Sequence, residues 1–507
     1  MERDEFSFAD ASDLHRRRGG ADGTDSAQAA SAAGAITVGA ASAPPTYSNG
    51  QIADYLVHGY WDVGSFNLAS TGVVAKHGVL HYNIENLTTA ARTLAEKALA
   101  VYAAVLDVAF VRTTSTSVAT TDIFFDDAES GARTDVTSLA GHILYSKVNI
   151  GTGWLATYGT AIDGYGFQTY LHEIGHALGL GHASDYNGNA TYVTSTADPA
   201  YGNNSNTYLN DSWQASIMSY FSQSENTTVN ASYAFDVSPK VADWIALDEM
   251  YATRIAFAGN TTWGFHTTIK ATIFAGLASF ADTASFTIVD GSGTDTVDFS
   301  GFGVRQVIRL TAEANSDIGG SVGNMSIARG TVIENAIGGA GNDDMSGNTG
   351  ANTLSGGSGA DRMWGGSGND RVYGGTGSDQ LLGQNGLDRL YGDSGADTLT
   401  GGIDNDTFVY RALSDSPYGA GDILVAGSGA SAFQGAGDAE GDRIDLTALG
   451  DLTWGGKGKG AITLVAHDGI TMCYVNADTD TTPEFEVSIA DGATLSTTYA
   501  QSDFIFV

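Results

Sequence analysis

The chain has 507 residues, enough for two or three domains that each bury a core of their own. It carries 58 acidic and 23 basic residues, a formal net charge of −35, which argues against nucleic acid and anionic membrane surfaces as partners. The single cysteine, Cys473, excludes an intramolecular disulfide framework. Because no apolar run approaches about 18 residues, the sequence predicts no stable membrane insertion.

Glycine is nearly twice as abundant as usual, with 67 residues against only 6 prolines, which predicts a repeated turn rather than collagen or general disorder. The acidity has two interpretations: carboxylates that keep the chain soluble, or carboxylates that neutralise bound cations such as calcium. The positions of the aspartates along the chain decide between them.

The first 45 residues are rich in Ala, Gly, Ser and Asp and have little apolar surface to bury. They are either a plain tail or a pro-segment that is removed after export. The start of the chain lacks the basic and apolar regions of a cleaved secretory signal, so export would need another route.

Residues 46–265 have the apolar pattern of a globular domain that contains both helices and strands. Apolar spacing predicts a long helix over 87–109, with Ala109 at the end of its buried face. The predicted elements of this α+β domain are a helix over 48–61, the long helix, strands over 118–125 and 140–148, and a further helix from Gln168 onward.

A compact set of metal-binding residues lies in this last helix and just after it. His172 and His176 are four residues apart, so both imidazoles project from one face of a helix. Gly179 allows the helix to end and the chain to turn, which lets His182 return as a third ligand. Three imidazoles leave positions open for water and substrate, and Glu173 can act as general base. One such histidine alone would be read as a core residue, but the whole pattern predicts one catalytic zinc ion.

The second half, residues 266–507, contains a nine-residue repeat that runs through residues 338–409 without a break in register. Each unit has a glycine-rich turn, an Asp in the sixth place and an apolar residue in the eighth place. The apolar residues predict a thin core between short stacked strands. They are Met345, Leu354, Met363, Val372, Leu381, Leu390, Leu399 and Phe408.

The sixth-place aspartates would line up along the turns and repel each other unless divalent cations lay between them. Carboxylate and carbonyl oxygens are the ligands that calcium prefers. A flexible linker would have no reason to keep Asp and an apolar residue in phase. Asn352 replaces the Asp in the second unit, where we expect a weaker ion site. The predicted calcium ligands of the repeat are Asp343, Asp361, Asp370, Asp379, Asp388, Asp397 and Asp406.

The repeat resembles the calcium-binding RTX nonapeptide, which implies a parallel β-roll. The histidine motif, followed by the Met-containing segment 216–221, resembles the metzincin clan of metalloproteases. Together with similar segments over 288–301 and 332–339, the combination resembles the serralysin family. The fold that this implies is a metzincin-like α+β catalytic domain, then an all-β domain of parallel β-roll and β-sandwich, with residues 1–45 as the pro-segment of a zymogen.

The resemblance also implies roles for further residues. Met218 would form an apolar base beneath the zinc, and Tyr220 would be an additional zinc ligand that swings to hydrogen-bond the reaction intermediate. Ala183 departs from the family, which usually has Pro after the third His, and we expect a slightly looser loop there. Acidic calcium ligands that precede the repeats are matched by Asp290, Asp295 and Glu334.

The function that this implies is a secreted endopeptidase, dependent on zinc and calcium, that cleaves extracellular proteins with broad specificity. The last residues, 503–507, fit both a final β-strand and the uncleaved signal of bacterial type I secretion. The expected partners are protein or peptide substrates, the type I secretion apparatus and a proteinaceous inhibitor, and the expected state is an extracellular monomer. The competing hypothesis is a secreted calcium-binding RTX adhesion or surface protein with a vestigial protease domain. The intact Glu173, all three histidines and Tyr220 argue against it.

Overall fold

The computed structural model describes residues 3–5, 42–62, 78–139, 142–186, 190–202, 204–254, 256–426, 433, 441–490 and 499–506. The chain divides into two units: Met1–Arg254 with Ala284–Thr287, and Ile255–Thr283 with Ile288–Val507. The division falls before residue 255, not after residue 265 as the sequence predicts, because residues 262–264 already pair with residues 296–298 of the second unit. Most of the predicted pro-segment 1–45 lies outside the described residues.

The first unit combines helices with a mixed β-sheet. Its helices are α1 (Asn49–Asp54), α2 (Tyr60–Asp62), α3 (Thr89–Val105), α4 (Thr152–Tyr158), α5 (Tyr165–Leu178) and α6 (Val241–Tyr251), with a π-helical turn over Tyr55–Gly59. Its strands are β1 (Arg3–Glu5), β2 (Val79–Asn83), β3 (Ala109–Arg112), β4 (Ile123–Asp126), β5 (Ala132–Leu139), β6 (His142–Ile150) and β7 (Phe235–Asp236).

The sheet of this unit has the order β1-β5-β6-β4-β2-β3. Strands β6, β4, β2 and β3 are parallel, whereas β5 is antiparallel to β6 and β1 is antiparallel to β5. Helix α5 packs against β5, β6 and α3. Every residue of α5 is buried as a result, so any polar side chain on this helix must find its partners inside the protein.

The long predicted helix is α3, but the predicted extension to Ala109 is wrong. The backbone of Leu106 is extended, with ψ of 141°, and this residue closes the helix by donating its N–H to the carbonyl of Tyr102. Ala109 is exposed and opens β3, where its N–H donates to the carbonyl of Gly78. Pairing with a neighbouring strand therefore prevails over the helical periodicity at this point.

The second unit consists mainly of short strands. Strand β9 (Ala284–Ile288) begins in the first unit, where it pairs in parallel with β7. The other strands are β8 (Thr262–Gly264), β10 (Thr296–Asp298), β11 (Val307–Arg309), β12 (Asn315–Ile318), β13 (Ser321–Ile327), β14 (Asn335–Ile337), β15 (Asp344–Ser346), β16 (Thr353–Ser358), β17 (Arg362–Ser367), β18 (Arg371–Thr376), β19 (Gln380–Asn385), β20 (Arg389–Ser394), β21 (Thr398–Ile403), β22 (Thr407–Val409), β23 (Asp422–Val425), β24 (Arg443–Asp445), β25 (Thr453–Trp454), β26 (Ala461–His467), β27 (Ile470–Asn476), β28 (Phe485–Ala490) and β29 (Phe504–Ile505). Short 3₁₀ helices occupy Ile273–Ser279, Leu413–Asp415, Thr447–Leu449 and Gln501–Asp503.

The nonapeptide repeat forms a roll of parallel strands, consistent with the predicted β-roll. Successive strands alternate between two sheets, so that β14, β16, β18, β20 and β22 lie in one and β15, β17, β19 and β21 in the other. Leu354 pairs with Val372 in the first sheet, and Met363 pairs with Leu381 in the second. The sequence separation is 18 residues in both, so one turn of the roll is made of two nine-residue units.

The predicted core of the roll is confirmed. All eight apolar residues in the eighth place of the repeat are 0% exposed. At the C-terminus, β29 pairs in parallel with β24, which confirms a final β-strand in the last residues. No helix among the described residues is long and apolar enough to cross a membrane.

Substitution of Leu381 by Ala tests this core. We expect the free energy of unfolding to fall by about 2–5 kcal/mol, because the side chain is fully buried and its loss leaves a cavity between the sheets. Guanidinium unfolding of the whole chain measures the change. Leu387→Ala is the matched control, since Leu387 lies six residues away and is 54% exposed. Equal effects of the two substitutions would contradict the proposed core.

Candidate metal centres

Helix α5 and the turn that follows it bring the three motif histidines together. Gly179 ends the helix in the left-handed region with φ of 111°, which favours glycine, and its N–H donates to the carbonyl of His176. The N–H of Leu180 donates back to the carbonyl of Gly175 at 3.0 Å. This turn reverses the chain, so that His182 faces the histidines of α5.

The ligand atoms of His172, His176 and His182 all lie within 4.8 Å of one another. Nε2 of His176 and Nε2 of His182 are 3.0 Å apart. The opposite ring nitrogens contact other groups: His172 Nδ1 lies 2.9 Å from the carbonyl of Ile217, and His176 Nδ1 lies 2.8 Å from the carbonyl of Leu180. A carbonyl can only accept, so these Nδ1 atoms carry the protons and the Nε2 atoms present lone pairs.

All three histidines are fully buried, and burial is the main cause that lowers their pKa values. The pKa of His172 falls to about 4, and those of His176 and His182 lie well below the usual range. The imidazoles are therefore neutral near pH 7, the form that binds a metal. The lone pair of His176 Nε2 lies 3.0 Å from Nε2 of His182, and a buried set of three neutral imidazoles with converging nitrogens fits zinc.

Glu173 is fully buried beside the first histidine. Its Oε2 accepts a hydrogen bond from the Thr134 hydroxyl at 2.7 Å, while its Oε1 has no hydrogen-bond partner among the described residues. Burial raises the pKa of the Glu173 carboxyl to about 8, and the hydrogen bond from Thr134 opposes this shift. A carboxyl group with one tethered and one available oxygen is suited to receiving a proton from a neighbouring water.

Met218 and Tyr220 both lie beside the histidines. A Cβ atom built on Gly175 would be only 2.7 Å from Met218 Sδ, so this sulfur lies directly against α5 within the motif. The ring centre of Tyr220 is 4.6 Å from that of His182 and 6.3 Å from that of His172. Met218 thus packs against the helix between His172 and His176, and the half-buried Tyr220 lies beside His182.

Tyr60, Asp243 and Asp211 support this centre and were not predicted as functional from the sequence. The Tyr60 hydroxyl lies 3.3 Å from His182 Nδ1. Asp243 accepts hydrogen bonds from the hydroxyl of Ser216 and from the N–H of Ile217, whose carbonyl contacts His172. The sequence signal for Asp243 is its place at the third position of α6, where acidic residues commonly cap a helix.

Asp211 connects the loop after the third histidine to the Met-containing turn. Its carboxylate accepts hydrogen bonds from the hydroxyls of Ser184, Tyr186 and Ser219. Asp211 is 0% exposed, and burial raises its pKa to about 6. An isolated Asp in a stretch rich in Ser and Asn gives no recognisable pattern, so only the fold identifies it.

In the second unit, the sixth-place aspartates form two ladders along the roll. The N–H of Asp361 donates to Oδ1 of Asp379, and the N–H of Asp379 donates to Oδ1 of Asp397, both at 2.8 Å. The same contact joins Asp370 to Asp388 in the other ladder. Each carboxylate therefore has one oxygen held by the backbone of the preceding turn.

The second oxygen of most ladder carboxylates is buried and lacks a hydrogen-bond partner among the described residues. A Cβ atom built on Gly374 would be 2.4 Å from Asp379 Oδ2 and 2.6 Å from the carbonyl oxygen of Gly392. Carboxylate and carbonyl oxygens thus converge where a side chain would otherwise stand, and a hard cation such as calcium fits this set. The unpartnered atoms are Oδ2 of Asp361, Asp370, Asp379, Asp388, Asp397, Asp406 and Asp422.

Two predicted positions differ from the rest of the ladder. Asn352 accepts the N–H of Asn348 and donates to the carbonyl of Glu334, so its side chain needs no cation. The weaker ion site expected in the second unit stays a prediction. Both oxygens of Asp343 accept backbone N–H groups, from Gln306 and from Gly339, and its carboxylate is therefore already satisfied within the chain.

The ladders continue past the last repeat unit through two residues that the sequence analysis missed. Asp422 Oδ1 accepts the N–H of Asp397, and Asp442 Oδ1 accepts the N–H of Asp406. The signal is weak, since only the apolar residue two places after each Asp survives from the repeat. Burial, followed by repulsion from Asp397, raises the pKa of Asp422 to about 8.

The three acidic residues that precede the repeats also lie together. Glu334 Oε2 accepts the N–H of Asp295 at 2.7 Å. Asp290 accepts from the indole N–H of Trp263, and burial and then the nearby Asp295 carboxylate raise the pKa of Asp290 to about 7. Oδ2 of Asp295 is buried without a hydrogen-bond partner among the described residues, as in the ladders.

Comparison with known proteins agrees with this arrangement. The family model described as "Peptidase M10 serralysin C terminal" matches residues 252–506, which is half of the chain. The chain belongs to the serralysin family. It is 42% identical over 205 residues to metallopeptidase AprA of Pseudomonas marginalis, covering 38% of this chain and 41% of that protein. It is 40% identical over 335 residues to serralysin C of Dickeya chrysanthemi, covering 64% of this chain and 60% of that protein.

The chain thus spans about half the length of the curated relatives it matches. Among solved structures, a subunit of mannuronan C5-epimerase from Azotobacter vinelandii is 23% identical and covers 35% of this chain and 81% of its own. Its TM-score of 0.21 is too low to support an argument.

Ala183 is where this serralysin departs from the proline that its family usually has. The residue is 0% exposed, and its N–H donates to the carbonyl of Met218 at 3.2 Å. A proline has no N–H and could not make this bond. In this chain, therefore, the loop after the third histidine is tied to the Met-containing turn by a backbone contact, beside the contacts made through Asp211.

The ladder carboxyls predict how pH affects the metal-free serralysin. Burial raises the pKa of Asp397 to about 7 and that of Asp406 to about 8, above the value of about 3.9 in an unfolded chain. Between these limits the folded state holds protons that the unfolded state releases, so stability falls as pH rises. We expect a lower urea midpoint at pH 8.5 than at pH 6.5 in EGTA, measured by circular dichroism.

The comparison starts at pH 6.5 because of the buried histidines, whose pKa values are lowered by folding. Below that pH they make the stability rise with pH, which opposes the effect of the ladder carboxyls. If calcium binds the ladder carboxyls, it holds them ionised, and the midpoint should change little over the same interval. A midpoint in EGTA that is constant or that rises with pH would contradict the assignment of protons to the folded ladder.

Proposed function

We propose that this serralysin is a zinc-dependent endopeptidase that is secreted and that hydrolyses extracellular proteins with broad specificity. The observation that supports this most directly is the convergence of three neutral imidazoles beside a buried carboxyl group that has one available oxygen. The names of the relatives, metallopeptidase and serralysin, point to the same reaction class.

In the proposed mechanism, Nε2 of His172, His176 and His182 would hold the zinc ion. When bound, zinc lowers the pKa of a water molecule and polarises the peptide carbonyl of the substrate. Glu173 accepts the proton from this water on its available oxygen and passes it to the leaving amine. Tyr220 would be an additional zinc ligand and, through its hydroxyl, a hydrogen-bond donor to the oxygen that gains negative charge.

The supporting residues keep these groups in place. The carbonyls of Ile217 and Leu180 orient two of the imidazoles, and Asp243 in turn holds Ile217. Such outer contacts fix the tautomer of a ligand and raise its basicity. Met218 fills the space beneath the histidines with an apolar, close-packed side chain, so it serves as a base and not as a ligand.

Calcium is the second proposed metal, and its role is structural. The unpartnered carboxylate oxygens of both ladders, and those around Asp295 and Glu334, are the proposed ligands. Calcium is scarce in cytoplasm and abundant outside cells, so the roll would gain its stability after export by a type I secretion system. Residues 1–45 would be the pro-segment that is removed when the protease matures.

Glu173→Gln tests the mechanism. The amide keeps the size of the side chain but cannot accept the proton of the zinc-bound water, so we expect casein cleavage to fall by at least about a thousandfold while zinc content is unchanged. Cleavage is measured with a fluorescent casein and zinc by atomic absorption. The matched control is Glu249→Gln, since the Glu249 side chain is 51% exposed.

Full activity in Glu173→Gln would overturn the assigned role of this residue. A wild-type chain that binds calcium but cleaves nothing, with or without phenanthroline, would favour the competing hypothesis of an RTX surface protein with an inactive protease domain.

Asp379→Asn tests the calcium proposal. The amide removes one anionic ligand from the middle of a ladder, and we expect the calcium concentration at half-maximal folding to rise at least about tenfold. Circular dichroism during a calcium titration of the EGTA-treated protein measures it. Asp468→Asn is the control, because the Asp468 side chain is 88% exposed and lies far along the chain from the ladders. An unchanged titration in Asp379→Asn would exclude this carboxylate as a ligand.

A further inference from the structure

Strand β5 carries a buried threonine whose hydroxyl reaches across to helix α5. Thr134 is 0% exposed. Its Oγ1 lies 2.7 Å from Glu173 Oε2 and 2.9 Å from the carbonyl oxygen of the same residue. The contact joins a strand to a helix between residues 39 positions apart, and no sequence motif predicts it.

Among the described residues, the Thr134 hydroxyl is the hydrogen-bond donor to the Glu173 carboxyl group. It donates to Oε2, whereas Oε1 of Glu173 is buried without a partner there. A hydroxyl has one proton, and once Glu173 is ionised, as a general base must be, its carboxylate is a stronger acceptor than the peptide carbonyl. The terminal torsion of a glutamate is broad and roughly two-fold, so packing alone leaves the plane of the carboxyl poorly defined. The hydrogen bond to Thr134 supplies the missing restraint.

Threonine is well suited to this task. Its branched Cβ restricts the first side-chain torsion, so the hydroxyl points in one direction from a rigid strand. The other carboxyl oxygen, Oε1, is then left without a partner among the described residues. A more flexible donor, or one on a loop, would hold the carboxyl less firmly.

We propose that Thr134 is a positioning residue for the general base: by holding Oε2 it aims Oε1 of Glu173 at the reacting water. The proposal rests on the endopeptidase function proposed above, and it concerns the orientation of Glu173 rather than its chemistry. A displacement of a catalytic group by about 1 Å can cost about a hundredfold in rate.

The test compares Thr134→Val, which removes the hydroxyl at constant shape, with Thr134→Ser, which keeps it. We expect kcat for a peptide substrate to fall about 10- to 100-fold in Thr134→Val with KM nearly unchanged, and to recover largely in Thr134→Ser. Thr137→Val is the matched control, because Thr137 lies on the same strand, is 6% exposed and makes no hydrogen bond to Glu173. Zinc content and the thermal midpoint are measured for all variants.

A second measurement does not depend on turnover. A peptide hydroxamate chelates zinc through its two oxygens and leaves a proton for a neighbouring carboxylate to accept. Calorimetry should show it binding about tenfold more weakly to Thr134→Val than to wild type, Thr134→Ser and Thr137→Val. If the wild type cleaves no peptide, the proposed function fails, yet this binding series still decides the role of Thr134.

Three results would overturn the inference. Thr134→Val could match the wild type in kcat and in hydroxamate affinity. Thr134→Ser could be as impaired as Thr134→Val although its hydroxyl is present. Finally, Thr134→Val and Thr137→Val could lose activity together with an equal fall in thermal midpoint. The Thr134 hydroxyl would then contribute to the stability of the fold and not to the position of Glu173.

Discussion

The constraint on which both halves of this protein depend is the cost of holding ionisable side chains out of water. Burial is the main cause that lowers the pKa of His172 to about 4, and burial followed by repulsion from neighbouring carboxylates raises that of Asp406 to about 8. In the metal-free chain the two groups avoid this cost in the same way, by becoming neutral. A divalent cation offers the alternative, since it lets imidazoles and carboxylates remain buried while their lone pairs are used. The fold therefore prepares donor atoms that are stable only as neutral groups or as ligands.

The two centres achieve this preparation by different means. Around the histidines, buried carboxylates act indirectly. Asp211 and Asp243 accept hydrogen bonds from the Met-containing turn, and the positions that would face a cation are occupied by imidazoles. In the roll, the carboxylates themselves are the proposed ligands, and the backbone of the preceding turn holds one oxygen of each. The first arrangement needs contacts between distant segments, whereas the second follows from translation of one motif along an axis.

This difference explains what the sequence could predict. The eighth-place residues of the roll and the ladder aspartates are visible in the sequence because a local pattern repeats, and the same holds for the histidines, which one helix and one turn bring together. Thr134, Asp211 and Asp243 could not be predicted as functional, because each meets its partner only after distant segments have packed. The error at Ala109 has a similar origin, since a strand pairing overrides a helical spacing that the sequence continues. Asp422 and Asp442 were missed because they keep the ladder contact after the glycine-rich turn has been lost.

Because strands pair at an interval of 18 residues, each turn of the roll contains two nine-residue units, and odd and even numbers of units are not equivalent. A single nine-residue unit added or removed would transfer every later strand to the opposite sheet. The stack of Tyr373 on Tyr391, with ring centres 4.3 Å apart, would survive only if both rings moved together, and Asp422 and Asp442 would exchange the ladders that they end. A change of two units leaves all of these relations intact. The length of such a roll can therefore vary in whole coils, and an odd number of units gained or lost would require its two faces to be rebuilt.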